Sequence, residues 1–150
     1  MVNPTKLFWK AGKHVLRYLR GISEYGLWYR QMDEVKLHGF TDVDWVGNPT
    51  DRKSTSGEIF SIIFTVVSWY SKKQRFVALS SAEAEYMAVI QTACEVIWMR
   101  NILVGLFGSQ MDPTVIHCDN QSCIKLSINL VFHDRSRHID IWYHHITNCA

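Results

Sequence analysis

The chain opens with a stretch in which apolar residues repeat at helical spacing. Asn3 and Pro4 are a typical helix start, because Asn accepts a hydrogen bond from a free N–H and Pro at the first helical position has none to lose. The pattern continues to Gly21, a residue that can end a helix in the left-handed conformation. We therefore predict an amphipathic helix over about residues 4–20.

Three stretches with strand character follow this helix. Alternating polarity and β-favouring residues predict strands over 37–46, 57–64 and 66–69. The connections between them are short, and short connections join antiparallel neighbours. We therefore predict a three-stranded antiparallel meander.

The longest predicted element comes next. Ser80 and Glu83 match a capping box, and an apolar helical face continues from there to Gly108. A short strand over 114–118 and a helix over 120–128 follow. Because a strand that follows a helix can return parallel to the first strand, this order predicts an α/β fold with a mixed sheet and flanking helices.

Composition is consistent with this picture of a globular domain. The 150 residues are 47% hydrophobic and 20% charged, and the net charge of +2 is too small to indicate nucleic-acid binding by itself. The apolar stretch 59–70 is interrupted by polar residues and is shorter than the ~20 residues that a membrane helix needs. We expect no membrane segment and no secretion signal, and hence an intracellular protein, cytoplasmic or nuclear.

Four cysteines and seven histidines suggest zinc as one interpretation. The richest group comprises Cys118, His133, His138, His144, His145 and Cys149. Structural zinc sites usually show two pairs of closely spaced ligands, and this group does not. The favoured interpretation is therefore four buried or incidental thiols. Cys118 and its neighbour His117 are expected to point to opposite faces of their strand.

Acidic residues stand where this topology can bring them together. They are Asp42 and Asp44 on the first strand, Glu83 and Glu85 in the long helix, and Asp119 at the end of the fourth strand. Converging carboxylates repel each other unless a divalent cation neutralises them, so such clusters usually hold Mg²⁺ or Mn²⁺. Two such ions about 3.5–4 Å apart would activate a water and stabilise the leaving oxygen in phosphodiester cleavage.

Six segments, in chain order, resemble the signatures of the ribonuclease H region of copia-type LTR-retrotransposon Pol polyproteins. They are FTDVDWVG (40–47), DRKSTSG (51–57), SWYSKKQ (68–74), VALSSAEAEY (77–86), CDN (118–120) and RHID (137–140). Residues 4–29 resemble the segment that joins reverse transcriptase to that region. We accordingly divide the chain into a connection, residues 1–35, and an incomplete ribonuclease H-like domain, residues 36–150.

The resemblance implies a ribonuclease H-like fold that binds two Mg²⁺, or Mn²⁺ instead, and cuts the RNA strand of RNA–DNA hybrids. It implies catalytic and metal-binding roles for Asp42, Glu85 and Asp119, with Asp44 as the alternative to Asp42. In the helix, Glu83 of the capping box would reach back to the cap, which leaves Glu85 free to face the strands. Asp119 has an alternative role as the cap of the helix that follows it.

Basic residues are the candidates for holding the substrate. The nearest approach to a basic surface is formed by Arg52, Lys53, Lys72, Lys73, Arg75, Arg135 and Arg137, of which we single out Arg52, Lys53, Lys72, Lys73 and Arg137 as nucleic-acid-binding candidates. Contacts of this kind to phosphates position a duplex without reading its sequence, and a merely solvated surface is the alternative interpretation. The expected partners are the RNA–DNA hybrid and the reverse transcriptase domain of the parent polyprotein, and no membrane.

One part of the family pattern is not found in the sequence. The resemblance places the final catalytic Asp after a fifth strand, and neither occurs before Ala150. We therefore expect impaired hydrolysis, and the alternative is a catalytically silent transposon remnant that at most binds nucleic acid. Glu58, within an otherwise apolar strand, departs from the family pattern and suggests drift.

Overall fold

The computed structural model describes residues 5–30, 35–47, 50–108 and 110–128. The chain divides into two compact units, residues 1–30 and 31–150. The first unit holds one helix, α1 (Lys6–Gly21), which is capped by Thr5. The Oγ1 of Thr5 accepts a hydrogen bond from the N–H of Phe8 at 3.4 Å. The predicted cap at residues 3–4 lies outside the described residues.

The end of α1 differs from the prediction. Gly21 is the last helical residue, and it does not adopt the left-handed conformation. Instead, the N–H of Ile22 donates to the carbonyl of Leu19 at 3.3 Å. This tighter turn satisfies a terminal carbonyl without a left-handed residue.

All the charged side chains of α1 are basic. They are Lys6, Lys10, Lys13, Arg17 and Arg20, and their spacing of three or four residues puts them on one face. No residue of this helix is buried. The Nζ of Lys13 lies 5.3 Å from the centre of the Trp9 ring, in a cation–π contact.

The second unit is built on a mixed sheet of four strands in the order β3-β2-β1-β4. The strands are β1 (Leu37–Asp44), β2 (Thr55–Ile62), β3 (Thr65–Lys73) and β4 (Val115–His117). β1 and β2 pair antiparallel, as do β2 and β3, whereas β4 runs parallel to β1. The predicted fold class and strand directions are confirmed, although β4 is shorter than the predicted range.

Helix α2 (Ser81–Phe107) connects β3 to β4 and has 27 residues. The Oγ of Ser80 accepts a hydrogen bond from the N–H of Glu83 at 3.2 Å, as the capping box predicts. At the other end Gly108 has a φ of 66°, the left-handed conformation that glycine adopts without strain.

Helix α3 (Gln121–Ile128) follows β4. Its cap is Asn120, whose Oδ1 accepts a hydrogen bond from the N–H of Cys123 at 3.0 Å. Asp119 therefore does not cap this helix, and the alternative role considered for it from the sequence is wrong.

The core of the second unit lies between α2 and the sheet, with a smaller cluster beneath α3. The first cluster contains Leu37, Phe60, Val96 and Met111, and the second contains Tyr86, Ile90 and Cys123. Removal of such apolar surface from water stabilises a fold by about 25 cal/mol per Å². Together the two clusters fix α2 over β1 and β4, with α3 against its first half.

Gly39 of β1 lies directly against α2. A Cβ at this position would lie 3.1 Å from the Cγ2 of Thr92 and 3.3 Å from the Cγ2 of Val96. The absence of a side chain therefore sets the distance between the helix and the strand.

Helix α2 is also long and apolar enough to cross a membrane, with a mean hydropathy of 1.3 over 18 residues. The stretch 59–70, which the sequence singled out, forms parts of β2 and β3 instead. Length and hydropathy are weak evidence for a membrane span, because core helices satisfy the same test. In this structure α2 packs on the sheet, and 22% of that 18-residue window is buried.

Candidate metal centre

Three carboxylates from separate elements lie at one end of the sheet, but Asp42 is not part of the group whose ligand atoms all lie within 4.8 Å of one another, which includes Glu85 and Asp119. Asp42 lies near the end of β1, Glu85 is in the first turns of α2, and Asp119 comes two residues after β4. Because β1 and β4 are parallel neighbours, their carboxyl ends lie at the same edge. The start of α2 brings Glu85 to this edge.

Glu85 is the buried member of the group, with 6% of its surface exposed. Its Oε2 has no hydrogen-bond partner within the described part of the chain. Burial, followed by the nearby charges of Asp119 and Asp42, raises its pKa to about 7, while a hydrogen bond from the N–H of Val43 opposes that rise. Such a carboxylate lacks a positive partner, which a cation would supply.

The two aspartates of β1 differ in their surroundings. Asp42 is exposed, and its Oδ1 accepts a hydrogen bond from the N–H of Val43 at 2.8 Å. Asp44 is turned toward Gly47 in the following turn. Asp42 is one of the charges that raise the pKa of Glu85, and Asp44 is not among them.

Glu83 is turned away from this group. One of its carboxylate oxygens accepts a hydrogen bond from the N–H of Leu79 at 2.7 Å, one residue before the cap. The prediction from the capping box was a contact to the cap residue itself, Ser80. The side chain therefore folds back on the helix start, although to a neighbouring donor.

Sequence reasoning did not include Cys118 in this group. Three ligand atoms lie within 4.8 Å of one another, one each from Glu85, Cys118 and Asp119. Cys118 is half-buried and packs against the cluster of Tyr86, Ile90 and Cys123. In the sequence, the one indication that Cys118 belongs to this group is its position next to Asp119. The motif alone does not predict the direction of its side chain.

Cys123 lies behind Cys118 and is fully buried. Burial, and next the neighbouring Cys118, raise the pKa of the Cys123 thiol to about 12. Cys123 therefore remains a neutral thiol of the core.

The predicted basic residues lie at the same end of the sheet as the carboxylates. Asp44 pairs with Thr55 of β2, and Thr55 pairs with Lys73 of β3, so these three residues form one row. Arg52 and Lys53 precede β2, and Lys72 lies beside Lys73. Arg137 is outside the described residues.

These basic side chains are not equivalent. The Nζ of Lys73 forms an ion pair with Asp51 at 2.8 Å. This hydrogen bond, followed by one from the backbone N–H of Lys53, lowers the pKa of Asp51. Lys72 lies 5.7 Å from the centre of the Tyr70 ring. Arg52 is exposed and has a positive φ of 54°. Lys72 and Arg52 are thus better placed than Lys73 to contact a phosphate.

The donor set fits a divalent cation. Carboxylate oxygens are the preferred ligands of Mg²⁺ and Mn²⁺, and the buried Oε2 of Glu85 is an acceptor without a donor. Asp42 and Asp119 are exposed and can turn toward a shared ion. The arrangement can therefore bind a cation and bring it close to a phosphate group.

Comparison with known proteins places the chain among transposon sequences. No family model and no solved structure matches it. The retrovirus-related Pol polyprotein from transposon TNT 1-94 of Nicotiana tabacum is 44% identical over 144 residues, 96% of this chain and 11% of that protein. The corresponding polyprotein from transposon RE2 of Arabidopsis thaliana is 41% identical over 145 residues, 97% of this chain and 10% of that protein.

A relative of similar identity is much shorter. The secreted RxLR effector protein 161 of Plasmopara viticola is 46% identical over 97 residues, 65% of this chain and 68% of that protein. The two polyproteins, in contrast, match almost the whole chain, which spans about a tenth of their length. The chain is therefore retrotransposon-derived, a homologue of one segment of the retrovirus-related Pol polyproteins of plant transposons.

Proposed function

We propose that the chain is the ribonuclease H region of a copia-type Pol polyprotein and hydrolyses the RNA strand of RNA–DNA hybrids with Mg²⁺. The observation that carries this proposal is the approach of Glu85 and Asp119 to within 4.8 Å at one sheet end, with Asp42 near enough for its charge to raise the pKa of Glu85. The mixed sheet, with β4 parallel to β1, agrees with the fold that this activity requires. Mn²⁺ is the expected substitute for Mg²⁺ because it accepts the same oxygen ligands.

Each carboxylate has a distinct part in this proposal. Glu85 supplies a buried oxygen that a cation would neutralise, and Asp119 and Asp42 supply exposed oxygens near it. When bound, Mg²⁺ supplies Lewis-acid chemistry, which favours attack by water and stabilises charge on the leaving oxygen. Asp44, turned toward Gly47, would then act outside the direct ligands.

The basic residues would hold the duplex over the carboxylates. Lys72 and Arg52 are exposed at the same sheet end and can contact phosphates on the hybrid. Such contacts depend steeply on salt, because each one releases counterions from the nucleic acid. The RNA–DNA hybrid is the proposed substrate, and the reverse transcriptase domain of a parent polyprotein is the proposed partner. The proposed location is intracellular, cytoplasmic or nuclear.

A single-turnover cleavage assay tests this function, with the chain in excess over a labelled RNA–DNA hybrid. We expect slow cleavage of the RNA strand that requires Mg²⁺ or Mn²⁺. Asp42→Asn should lower the rate by about 100-fold, because it removes a metal ligand and displaces the reacting groups. Asp44→Asn is the matched control and should retain most of the rate.

Hybrid binding measured in the same samples separates the outcomes. Binding at low salt without cleavage under any metal condition would overturn the hydrolase proposal in favour of a silent, binding-only remnant. Equal loss of cleavage in Asp42→Asn and Asp44→Asn would contradict the separate parts assigned to these two residues.

A further inference from the structure

The group at the sheet end contains a donor that Mg²⁺ does not favour. The Sγ of Cys118 and one oxygen each of Glu85 and Asp119 lie within 4.8 Å of one another. Thiolates are soft ligands that select Zn²⁺ and related ions, whereas Mg²⁺ takes oxygen ligands. The site is therefore chemically mixed.

The residues that follow β4 bring Cys118 beside the carboxylates. His117 ends β4 and stacks on Phe40, with ring centres 4.6 Å apart. Cys118, the next residue, packs against the buried cluster that α2 and α3 form with Tyr86, Ile90 and Cys123. The thiol therefore lies where β4 ends under these helices, within 4.8 Å of an oxygen of Glu85.

Glu85 provides a second, independent indication of a ligand. Only 6% of its surface is exposed, and its Oε2 has no hydrogen-bond partner in the part of the chain that the structure describes. A buried acceptor without a donor destabilises the fold, and a charged one does so more strongly. A cation between Glu85, Cys118 and Asp119 would remove that destabilisation.

The spacing suits a four-coordinate ion after small side-chain movements. Zinc binds sulfur at about 2.3 Å and carboxylate oxygen at about 2.0–2.2 Å, so donors around a tetrahedral ion lie roughly 3.4–3.6 Å apart. Half-buried Cys118 and exposed Asp119 can close the remaining gap by rotation. Three protein ligands leave one position for water, which is the pattern of open zinc sites.

We infer that Cys118, Glu85 and Asp119 form a site for Zn²⁺, in which the Cys118 thiolate gives a preference over Mg²⁺ that the carboxylates alone would not give. On binding, a sulfur–zinc bond replaces the S–H bond, and the proton passes to the buffer. Zn²⁺ would then exclude Mg²⁺ from the proposed hydrolytic centre. The inference shares two residues with the proposed function, but it concerns metal binding and stands without hybrid cleavage.

Co²⁺ is the probe for the test, because a cobalt–thiolate bond gives a near-ultraviolet charge-transfer absorption that oxygen ligands do not give. We expect this absorption when Co²⁺ is added to the full chain, and its loss on addition of Zn²⁺ but not of equimolar Mg²⁺. Cys118→Ser should abolish it and lower Zn²⁺ affinity by about tenfold or more, with Mg²⁺ affinity unchanged. Cys94→Ser, a half-buried thiol elsewhere on α2, is the matched control and should retain the absorption.

A measurement on the unmodified chain guards against a variant that fails to fold. Zn²⁺ should slow alkylation of Cys118, located by mass spectrometry, and Mg²⁺ should not. The inference is overturned if the absorption survives Cys118→Ser, or if Zn²⁺ leaves the alkylation of Cys118 unchanged. Neither measurement uses nucleic acid, so a failed cleavage assay would leave the result interpretable.

Discussion

The side-chain amide of Gln74 donates a hydrogen bond to the backbone carbonyl of Ala84 at 2.9 Å. The same nitrogen donates to the Oγ of Ser56 at 2.9 Å. Gln74 therefore joins the end of β3 and the start of β2 to the first turn of α2, one residue before Glu85. The link therefore ties the backbone next to the buried carboxylate of the candidate metal centre to the sheet.

Gln74→Ala should lower the free energy of unfolding by about 1–3 kcal/mol, because buried polar groups lose their donor. Gln91→Ala removes a half-buried amide that donates to the Tyr70 hydroxyl at 2.7 Å, and it serves as control with a smaller loss. Urea denaturation measures both. Equal losses in the two variants would show that the link to Ala84 contributes no more to the free energy of unfolding than the Gln91–Tyr70 hydrogen bond does.

The capping box gives a second prediction. Ser80→Ala removes the acceptor of the Glu83 N–H and should cost about 1 kcal/mol, whereas Ser81→Ala, at an exposed position in the first helical turn, should change little. Thermal unfolding followed by circular dichroism distinguishes them. A Ser80→Ala chain as stable as the unmodified one would contradict the assigned cap.

Glu58 predicts a pH dependence of stability. It is 1% exposed, neither carboxylate oxygen has a hydrogen-bond partner among the described residues, and it lies between Thr41 of β1 and Tyr70 of β3. Burial, followed by the charge of Glu95 on α2, raises its pKa from 4.5 to about 7. The folded chain thus keeps a proton that the unfolded chain has lost, so stability falls as pH rises across that window.

Glu58→Gln removes this titration at nearly constant shape. We expect no change in unfolding free energy below about pH 4.5 and a gain of roughly 1–3 kcal/mol near pH 8. The exposed Glu24→Gln is the control and should show no such difference between the two pH values. A gain of the same size at both values would mean that ionisation of Glu58 is not the cause.

Gly39 gives a prediction in which a second substitution restores part of the lost stability. Gly39→Ala should cost about 1–3 kcal/mol, because its Cβ would lie 3.1 Å from the Cγ2 of Thr92. Adding Thr92→Ser removes that methyl group and should restore part of the loss. Gly57→Ala is the control, since a Cβ there has no neighbour closer than 3.8 Å. If the double variant is no more stable than Gly39→Ala, close packing against Thr92 does not explain the loss of unfolding free energy.

Sequence alone predicts the order and direction of the elements, because hydrophobic periodicity and capping are local signals. It misplaces some ends. Ile63 has a φ of 57° in the β2–β3 turn, a conformation that a β-branched residue rarely adopts. The sequence pattern therefore predicted that the strand continues through this turn. Thr55 and Ser56 extend β2 because they pair with β1 on one side and with β3 on the other. Such pairings depend on the whole sheet.

The same distinction applies to the candidate site. The orientations of Glu83 and Glu85 follow from the capping box, which involves neighbouring residues. The approach of Cys118 to Glu85 follows from the packing of α2 over β4, which no local pattern encodes. Motif order brought Asp42 and Asp119 into consideration, but the burial of Glu85 and its unpartnered oxygen required coordinates.

The helicity of α1 should depend on ionic strength. Its five cations stand three or four residues apart, with no acidic residue within the helix to offset them, so neighbouring side chains repel. A 16-residue helix without buried side chains has little else to offset that repulsion. At low salt the repulsion acts across several residues, and at about 0.15 M it is screened beyond roughly 8 Å. Added electrolyte should therefore make this segment more helical while it weakens any attachment of the chain to phosphates.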